Sequence, residues 1–414
     1  MREGRKEPGS EHAGIQFFTV VRSSLILLSP TSRLACIVRY VCEVLLVLLA
    51  VSMAPAQVPA TIGEQFTSDE HLAKPGWWPR KGDSPRADYV GAEVCAQCHA
   101  ALAAGQQQHA MAHTAIPAAK AELPGGKAVY DIGPFHYSLA KQDGAMTYTV
   151  TGNGETFSAP VLWVFGSGSR GQSFLFQHHG NFEEARISFF HKFGIAITPD
   201  HPSGIPDSMD NALGREIPKE EAPACFGCHT TAANVSNHFD PEHSMPGISC
   251  EGCHGPGAAH VAAASAGVGG NPGMISNPRN LNPSTAVDFC GSCHRTWWDI
   301  SELPYRGVNN ARFPAYRLET SRCWGKGDAR LTCFACHDPH QPLVTDIAAY
   351  DGKCLSCHVT STAKKSADHP GAACPVATRN CASCHMPKYE VPKMRTAFTD
   401  HRIRVVHDLK SFPD

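Results

Sequence analysis

The chain has no basic excess. Its 36 Lys and Arg are matched by 38 Asp and Glu, leaving a net charge of −2, so it carries no electrostatic footprint for nucleic acid. It also lacks an unbroken apolar run of the ~20 residues a bilayer span needs. The nearest approach, residues 38–53, is interrupted by Arg39 and Glu43. No fixed-period repeat runs through it beyond one pentapeptide. Charged residues are 18% and aromatic residues 8%, a composition of folded rather than disordered chains.

Cysteine and histidine are abundant, at 18 and 23 residues. Fourteen of these cysteines and seven of these histidines fall into seven copies of Cys-x-x-Cys-His. The cysteine pairs are Cys95 and Cys98, Cys225 and Cys228, Cys250 and Cys253, Cys290 and Cys293, Cys333 and Cys336, Cys354 and Cys357, and Cys381 and Cys384. The histidines that close them are His99, His229, His254, His294, His337, His358 and His385. Chance would give roughly 0.04 such matches in a chain of this composition. A disulfide scaffold gives no reason for a histidine after every second cysteine. A zinc ribbon uses paired cysteines, but the adjoining histidine adds nothing to a tetrahedral site. Covalent haem attachment explains every position: two thiols add across the two vinyl groups and the histidine is the proximal iron ligand. Seven haem c groups are expected.

The N-terminal region points to export. Residues 44–51 are an apolar run preceded by Arg33 and Arg39 and followed by Ala54-Pro55-Ala56, the pattern of a cleavable signal. Haem c is attached outside the cytoplasm in bacteria, so a periplasmic or extracellular location is expected. Membrane association follows only if the signal is not cleaved. The organisation expected from the sequence is a signal at 1–56, a Pro-rich linker at 57–90, a first haem-binding segment at 91–120, a β-rich insert at 121–212, a six-haem array at 213–404 and a tail at 405–414. Within the insert, residues 146–150, 155–158, 161–165, 173–176 and 186–190 are strand candidates, with a turn at Gly152-Asn153-Gly154. Gly166-Ser167-Gly168-Ser169-Arg170-Gly171 matches a dinucleotide fingerprint, but the residues after it resemble a strand, so it reads as a turn. The array has about one motif per 27 residues, too few for each to build its own peptide core. The expected fold is therefore mainly irregular, with short α-helices packed around a haem array and a small inserted β subdomain.

Fifteen histidines remain once the seven proximal ones and His12 are set aside, enough to give every iron a second histidine. The distal candidates are His109, His113, His243, His260, His340, His369 and His401. Three residues span at most ~10 Å, whereas two axial histidines stand about 12 Å apart, so His340 is too close in sequence to His337 to share its iron. Near-motif histidines are therefore expected to serve neighbouring haems. His109 and His113 lie at i and i+4 on one helical face, where one ligand is expected rather than two. Met111, Met245 and Met386 are the alternative ligands. Cys323 and Cys374 lie outside every motif. In an oxidising compartment they are expected to pair, for roughly 4 kcal/mol in the chain-entropy model.

Three stretches carry a resemblance: residues 247–257 with His260 downstream, residues 331–340, and Cys384-His385-Met386-Pro387 followed by residues 399–404. They resemble the exported bacterial multihaem cytochromes c of the cytochrome c-554 and hydroxylamine oxidoreductase-like group. The resemblance implies that His260, His340 and His401 are distal ligands or near-haem residues. No motif ends in lysine, so the active-site signature of the pentahaem nitrite reductases is missing. Together these readings lead to a heptahaem cytochrome that relays electrons between redox proteins, either quinol oxidase-type or other cytochromes or a terminal reductase. The alternatives are a multihaem oxidoreductase acting on a small nitrogen or sulfur compound at one five-coordinate haem, and a filament subunit that conducts along stacked haems.

Overall fold

The structure, a computed structural model, describes residues 81–167, 170–267, 275–302, 306–321, 323–324, 331–358, 374, 376–404 and 406. The expected signal, most of the expected linker and most of the expected tail lie outside the described residues.

Between the first and second motifs the chain forms a ten-stranded antiparallel sheet. Its strands are β1 (Ala115–Pro117), β2 (Lys127–Ile132), β3 (Phe135–Gln142), β4 (Ala145–Gly152), β5 (Glu155–Phe165), β6 (Gly171–His178), β7 (Asn181–Ala185), β8 (Ile187–Phe190), β9 (Gly194–Ile197) and β10 (Gly214–Ile217). The main order is β10-β7-β6-β5-β4-β3-β2, with β1 against β5 and the β8–β9 pair against β6. Period-two alternation builds it. On β4, Met146, Tyr148 and Val150 are buried, while Thr149 and Thr151 meet Ser158 and Thr156 of β5 on the outer face. Besides Gly133-Pro134 between β2 and β3, three two-residue turns join successive strands: Asp143-Gly144, Asn153-Gly154 and His179-Gly180. All six residues have positive φ, from 49° to 83°. Only the mirror-image turn matches the right-handed strand twist, and it requires that sign at both positions.

The sheet is larger than the small insert expected from sequence, and its strands begin before 121 and end after 212. Strands β1, β2, β3, β7, β9 and β10 have no counterpart among the sequence candidates. The Gly-rich stretch is followed by strand β6, antiparallel to β5, rather than by a helix. Its dinucleotide match therefore has no structural counterpart.

The remainder, besides three two-stranded antiparallel pairs (Thr230–Thr231 with Met245–Pro246, Asn234–Val235 with His238–Phe239, Lys388–Val391 with Thr396–Thr399), is built of short helices: α1 (Ala92–Ala96), α2 (Ala100–Gln107), α3 (Met209–Leu213), α4 (Ala222–His229), α5 (Cys250–His254), α6 (Ala258–Ser265), α7 (Pro283–His294), α8 (Trp297–Glu302), α9 (Pro314–Glu319), α10 (Cys333–Cys336), α11 (Asp351–Leu355) and α12 (Cys381–His385). Among the described residues, no helix is long and apolar enough to cross a membrane. The apolar core is unevenly distributed. The sheet holds most of it, around Phe135, Tyr137, Leu139, Tyr148, Phe174 and Phe176. In the helical region one cluster has only Val287, Ala315 and Leu318 fully buried, with Cys333 and Ile403 packed against it.

One aromatic side chain fastens the second motif to the sheet. Phe226 of α4 is fully buried. Its ring centre lies 5.3 Å from Trp163, 5.0 Å from Phe165, 5.3 Å from Phe182 and 5.3 Å from Phe239. These tilted and edge-on pairings each add to simple burial. Phe226→Ala is expected to destabilise the protein by about 3–5 kcal/mol. Equilibrium denaturation followed by circular dichroism checks this, and a loss below ~1 kcal/mol would contradict the packing described.

Candidate functional site

Each attachment motif makes one helical turn. The histidine N–H bonds the carbonyl of the first cysteine at 2.9 Å in the first, fifth and sixth motifs, through His99, His337 and His358. In the other four, the whole motif lies inside α4, α5, α7 or α12. Residues i and i+3 share one side of a helix, so the turn presents two thiols together with the histidine next to them. That arrangement suits a planar group tethered at two points along one edge.

Three of the seven motif histidines have rings prepared to bind a metal through Nε2. His229 Nδ1 lies 3.2 Å from Thr114 O, His254 Nδ1 lies 2.7 Å from Ser276 O and His385 Nδ1 lies 2.8 Å from Arg404 O. A carbonyl can only accept, so Nδ1 carries the proton and Nε2 keeps its lone pair. Metal-ligating histidines are oriented by this kind of bond. Burial lowers the pKa of His229, His254, His294 and His337. The neutral form this favours is the one that ligates.

Three further histidines face these rings. His99 and His260 have ring centres 6.5 Å apart, His254 and His340 6.0 Å, and His337 and His401 6.2 Å. A metal bonded at about 2 Å to a nitrogen of each ring would separate the centres by roughly 6 Å. His401 has Nδ1 at 3.0 Å from Thr399 O, and burial lowers its pKa to about 4. The donor sets therefore fit an iron held between two imidazoles. Each partner comes from downstream: His260 follows the third motif but faces the first, His340 follows the fifth but faces the third, and His401 follows the seventh but faces the fifth.

The other distal candidates are placed differently. His109 Nδ1 accepts the Met111 N–H at 3.0 Å, which puts the proton of the neutral ring on Nε2. His113 is exposed, with Nε2 at 2.8 Å from Gln107 O. His243 is exposed and pairs with Asp240 at 2.9 Å. His369 lies outside the described residues. Cys374 is exposed and, among the described residues, forms no disulfide. The expected bridge to Cys323 is thus not made in the structure.

The motifs also touch one another. Cys95 of the first lies against Cys250 of the third. Burial and then Cys250 push the Cys95 thiol up to about 11. Cys290 of the fourth bonds Cys333 of the fifth, and that bond, with burial, raises its pKa. Cys354 of the sixth bonds Cys381 of the seventh. Cys228 of the second lies 3.7 Å from Ser292 O inside the fourth. The third and fourth motifs are near enough for Cys253 to perturb Cys290, and the fifth and sixth for Cys354 to perturb Cys336. Among the motif cysteines, Cys98 and Cys384 are exposed and the others half-buried. Those two belong to the first and last motifs.

Two features were invisible to sequence reasoning. Glu251, a spacer residue of the third motif, is 2% exposed. It accepts from Val90 N at 2.8 Å, Gly91 N at 2.8 Å and Gly257 N at 2.9 Å, which pins the start of α1 to the third motif. Arg317 and Asp400 form a fully buried ion pair at 2.8 Å. Neither has a sequence signal, because each depends on a partner far away in the chain.

Comparison with known proteins agrees with this chemistry. The family model described as cytochrome c554 and c-prime matches residues 205–255, which contain the second and third motifs. The multiheme cytochrome MtrA of Shewanella baltica (strain OS185) is 27% identical over 211 residues, covering 47% of this chain and 54% of the relative. The chain thus spans about half the length of that relative. No solved structure matches it. Seven attachment turns, three proximal rings poised to bind through Nε2 and both sequence matches together support a multihaem c-type cytochrome.

Proposed function

We propose that this protein is an exported heptahaem cytochrome that relays electrons between redox partners through closely packed, mostly bis-histidine haems. Each haem would be held by one of the seven cysteine pairs and by the histidine that follows it. When bound, haem supplies a one-electron couple at iron. The chain's own residues set its conditions. The thiol pairs fix position, the Nδ1–carbonyl bonds orient the proximal rings, and burial lowers the local dielectric, which tunes potential. His260, His340 and His401 are assigned as distal ligands to the first, third and fifth haems. In this reading the attached groups also fill the helical region, where the peptide core is thin.

The continuity of motif contacts carries this reading. The first motif touches the third, the fourth the fifth, and the sixth the seventh. The third lies within electrostatic reach of the fourth and the fifth of the sixth, while the second joins at the fourth. A carrier needs such a series, because electrons must pass from group to group without leaving the protein. The two exposed motif cysteines, Cys98 and Cys384, stand at its opposite ends. Electron exchange with other redox proteins in the periplasm or outside the cell is assigned to those ends.

Two outcomes are expected. Intact mass spectrometry of the protein matured with the haem-attachment machinery should show seven additions of about 0.6 kDa, roughly 4 kDa in all. Four or fewer would defeat the array. Replacing His260, His340 or His401 by alanine should open one axial position while leaving the covalent haem in place, since attachment depends on the thiols. Each reduced variant should bind carbon monoxide at one haem, and the parent protein scarcely at all. A parent protein that binds ligand and turns over hydroxylamine or nitrite would reverse the assignment in favour of an enzyme.

A further inference from the structure

Residues 399–404 form a short strap that reaches two motifs. At one end, the His401 ring faces His337 of the fifth motif, with centres 6.2 Å apart. Three residues later, Arg404 O lies 2.8 Å from Nδ1 of His385, the proximal histidine of the seventh motif. Arg404 N in turn donates to His385 O at 3.2 Å. One turn of chain therefore presents a ring to one iron site and orients the ring of another.

The strap is held by a buried charge. Asp400 and Arg317 are both 0% exposed. Arg317 of α9 binds the carboxylate in the two-pronged manner, Nε to Oδ1 at 2.8 Å and Nη2 to Oδ2 at 3.1 Å. The fork geometry fixes direction as well as distance. Asp400 Oδ1 also accepts Arg402 N at 3.1 Å, Arg404 Nη1 donates to Oδ2 at 2.5 Å, and Asp400 N donates to Pro387 O at 3.0 Å. Ser321, just beyond α9, adds a second anchor: its hydroxyl donates to His401 O at 3.1 Å and accepts Ile403 N at 2.8 Å. A buried ion pair is a poor source of stability compared with apolar packing, and its best-attested use is to fix register. Register is what this strap requires, because a slip of one residue would withdraw the His401 ring and the Arg404 carbonyl together.

We propose that Asp400, locked by Arg317, is a positioning residue for two haem sites at once, the fifth through His401 and the seventh through the carbonyl that orients His385. This rests on the assignment of His401 and His385 as iron ligands. Losing the Nδ1 bond makes a histidine a weaker donor to iron, which destabilises the ferric state and raises the potential of that haem.

The test uses the mature holoprotein and three variants, read by electron paramagnetic resonance for spin state and by potentiometry for the individual haems. His401→Ala should convert one iron in seven to high spin and serves as the reference. Asp400→Asn should convert part of that same iron and also raise the potential of a second haem. Because a single change leaves the buried Arg317 guanidinium without this carboxylate, the double variant Arg317→Met with Asp400→Leu removes the buried pair and keeps the region packable, while Arg404, which also meets Asp400, stays in place. It should give the same pair of effects. If His401→Ala opens an iron while the folded Asp400 variants keep the parent's spin states and unmoved potentials, the positioning role is wrong and the ligand assignment stands. A response confined to one haem in those variants overturns the two-site claim. If His401→Ala also leaves every iron low-spin, the ligand assignment itself has failed.

Discussion

Contact between attachment turns is the constraint on which the rest of this structure depends. A relay works only if each cofactor is held beside the next, and here the chain brings the turns themselves together. Cys95 meets Cys250, Cys290 meets Cys333 and Cys354 meets Cys381. Groups tethered at those thiols are neighbours by construction. The partner rings reinforce the arrangement: His260 belongs to the third motif's segment and faces the first, and His340 and His401 repeat the step along the chain. Each such pair ties one segment to another and would close only when an iron joins the two rings.

The polar groups that maintain these contacts are few and deeply placed. Glu251 gathers three backbone N–H groups and fastens the start of the first motif to the third. Arg317 and Asp400 fasten the strap that serves the fifth and seventh. Both rely on carboxylates accepting charge-assisted hydrogen bonds away from water, where such bonds are strongest. The β sheet plays a different part. It contains a conventional apolar core of its own, and it grips the second motif through Phe226. The second motif is also the one that joins the series at its side, through Cys228 and Ser292 of the fourth.

Sequence reasoning reached what is local. The seven motifs are contiguous pentapeptides, so their chemistry could be read directly. The β4–β5 hairpin was legible because Asn153-Gly154 forces one turn type between alternating residues. Strands β2 and β3 alternate as well, with Phe135, Tyr137 and Leu139 buried, but Asp131, His136 and the small residues between them diluted the apolar signal. The pairing of histidines was only half legible. Chain reach excluded His340 as the partner of His337, yet it could not choose among the other irons, because that choice is made by tertiary packing. Glu251 and Asp400 lay wholly beyond sequence reasoning, since a carboxylate becomes a clamp only when distant donors arrive.

The central claim is that electrons move along this chain from motif to motif within one molecule. Pulsed reduction of the oxidised holoprotein, followed by time-resolved absorption across the Soret region at several protein concentrations, tests this most directly. The account predicts that the first-reduced haem passes its electron to the others at a rate independent of protein concentration, until all seven share it according to potential. Redistribution whose rate rises in proportion to concentration would mean that electrons travel between molecules, and would contradict the account.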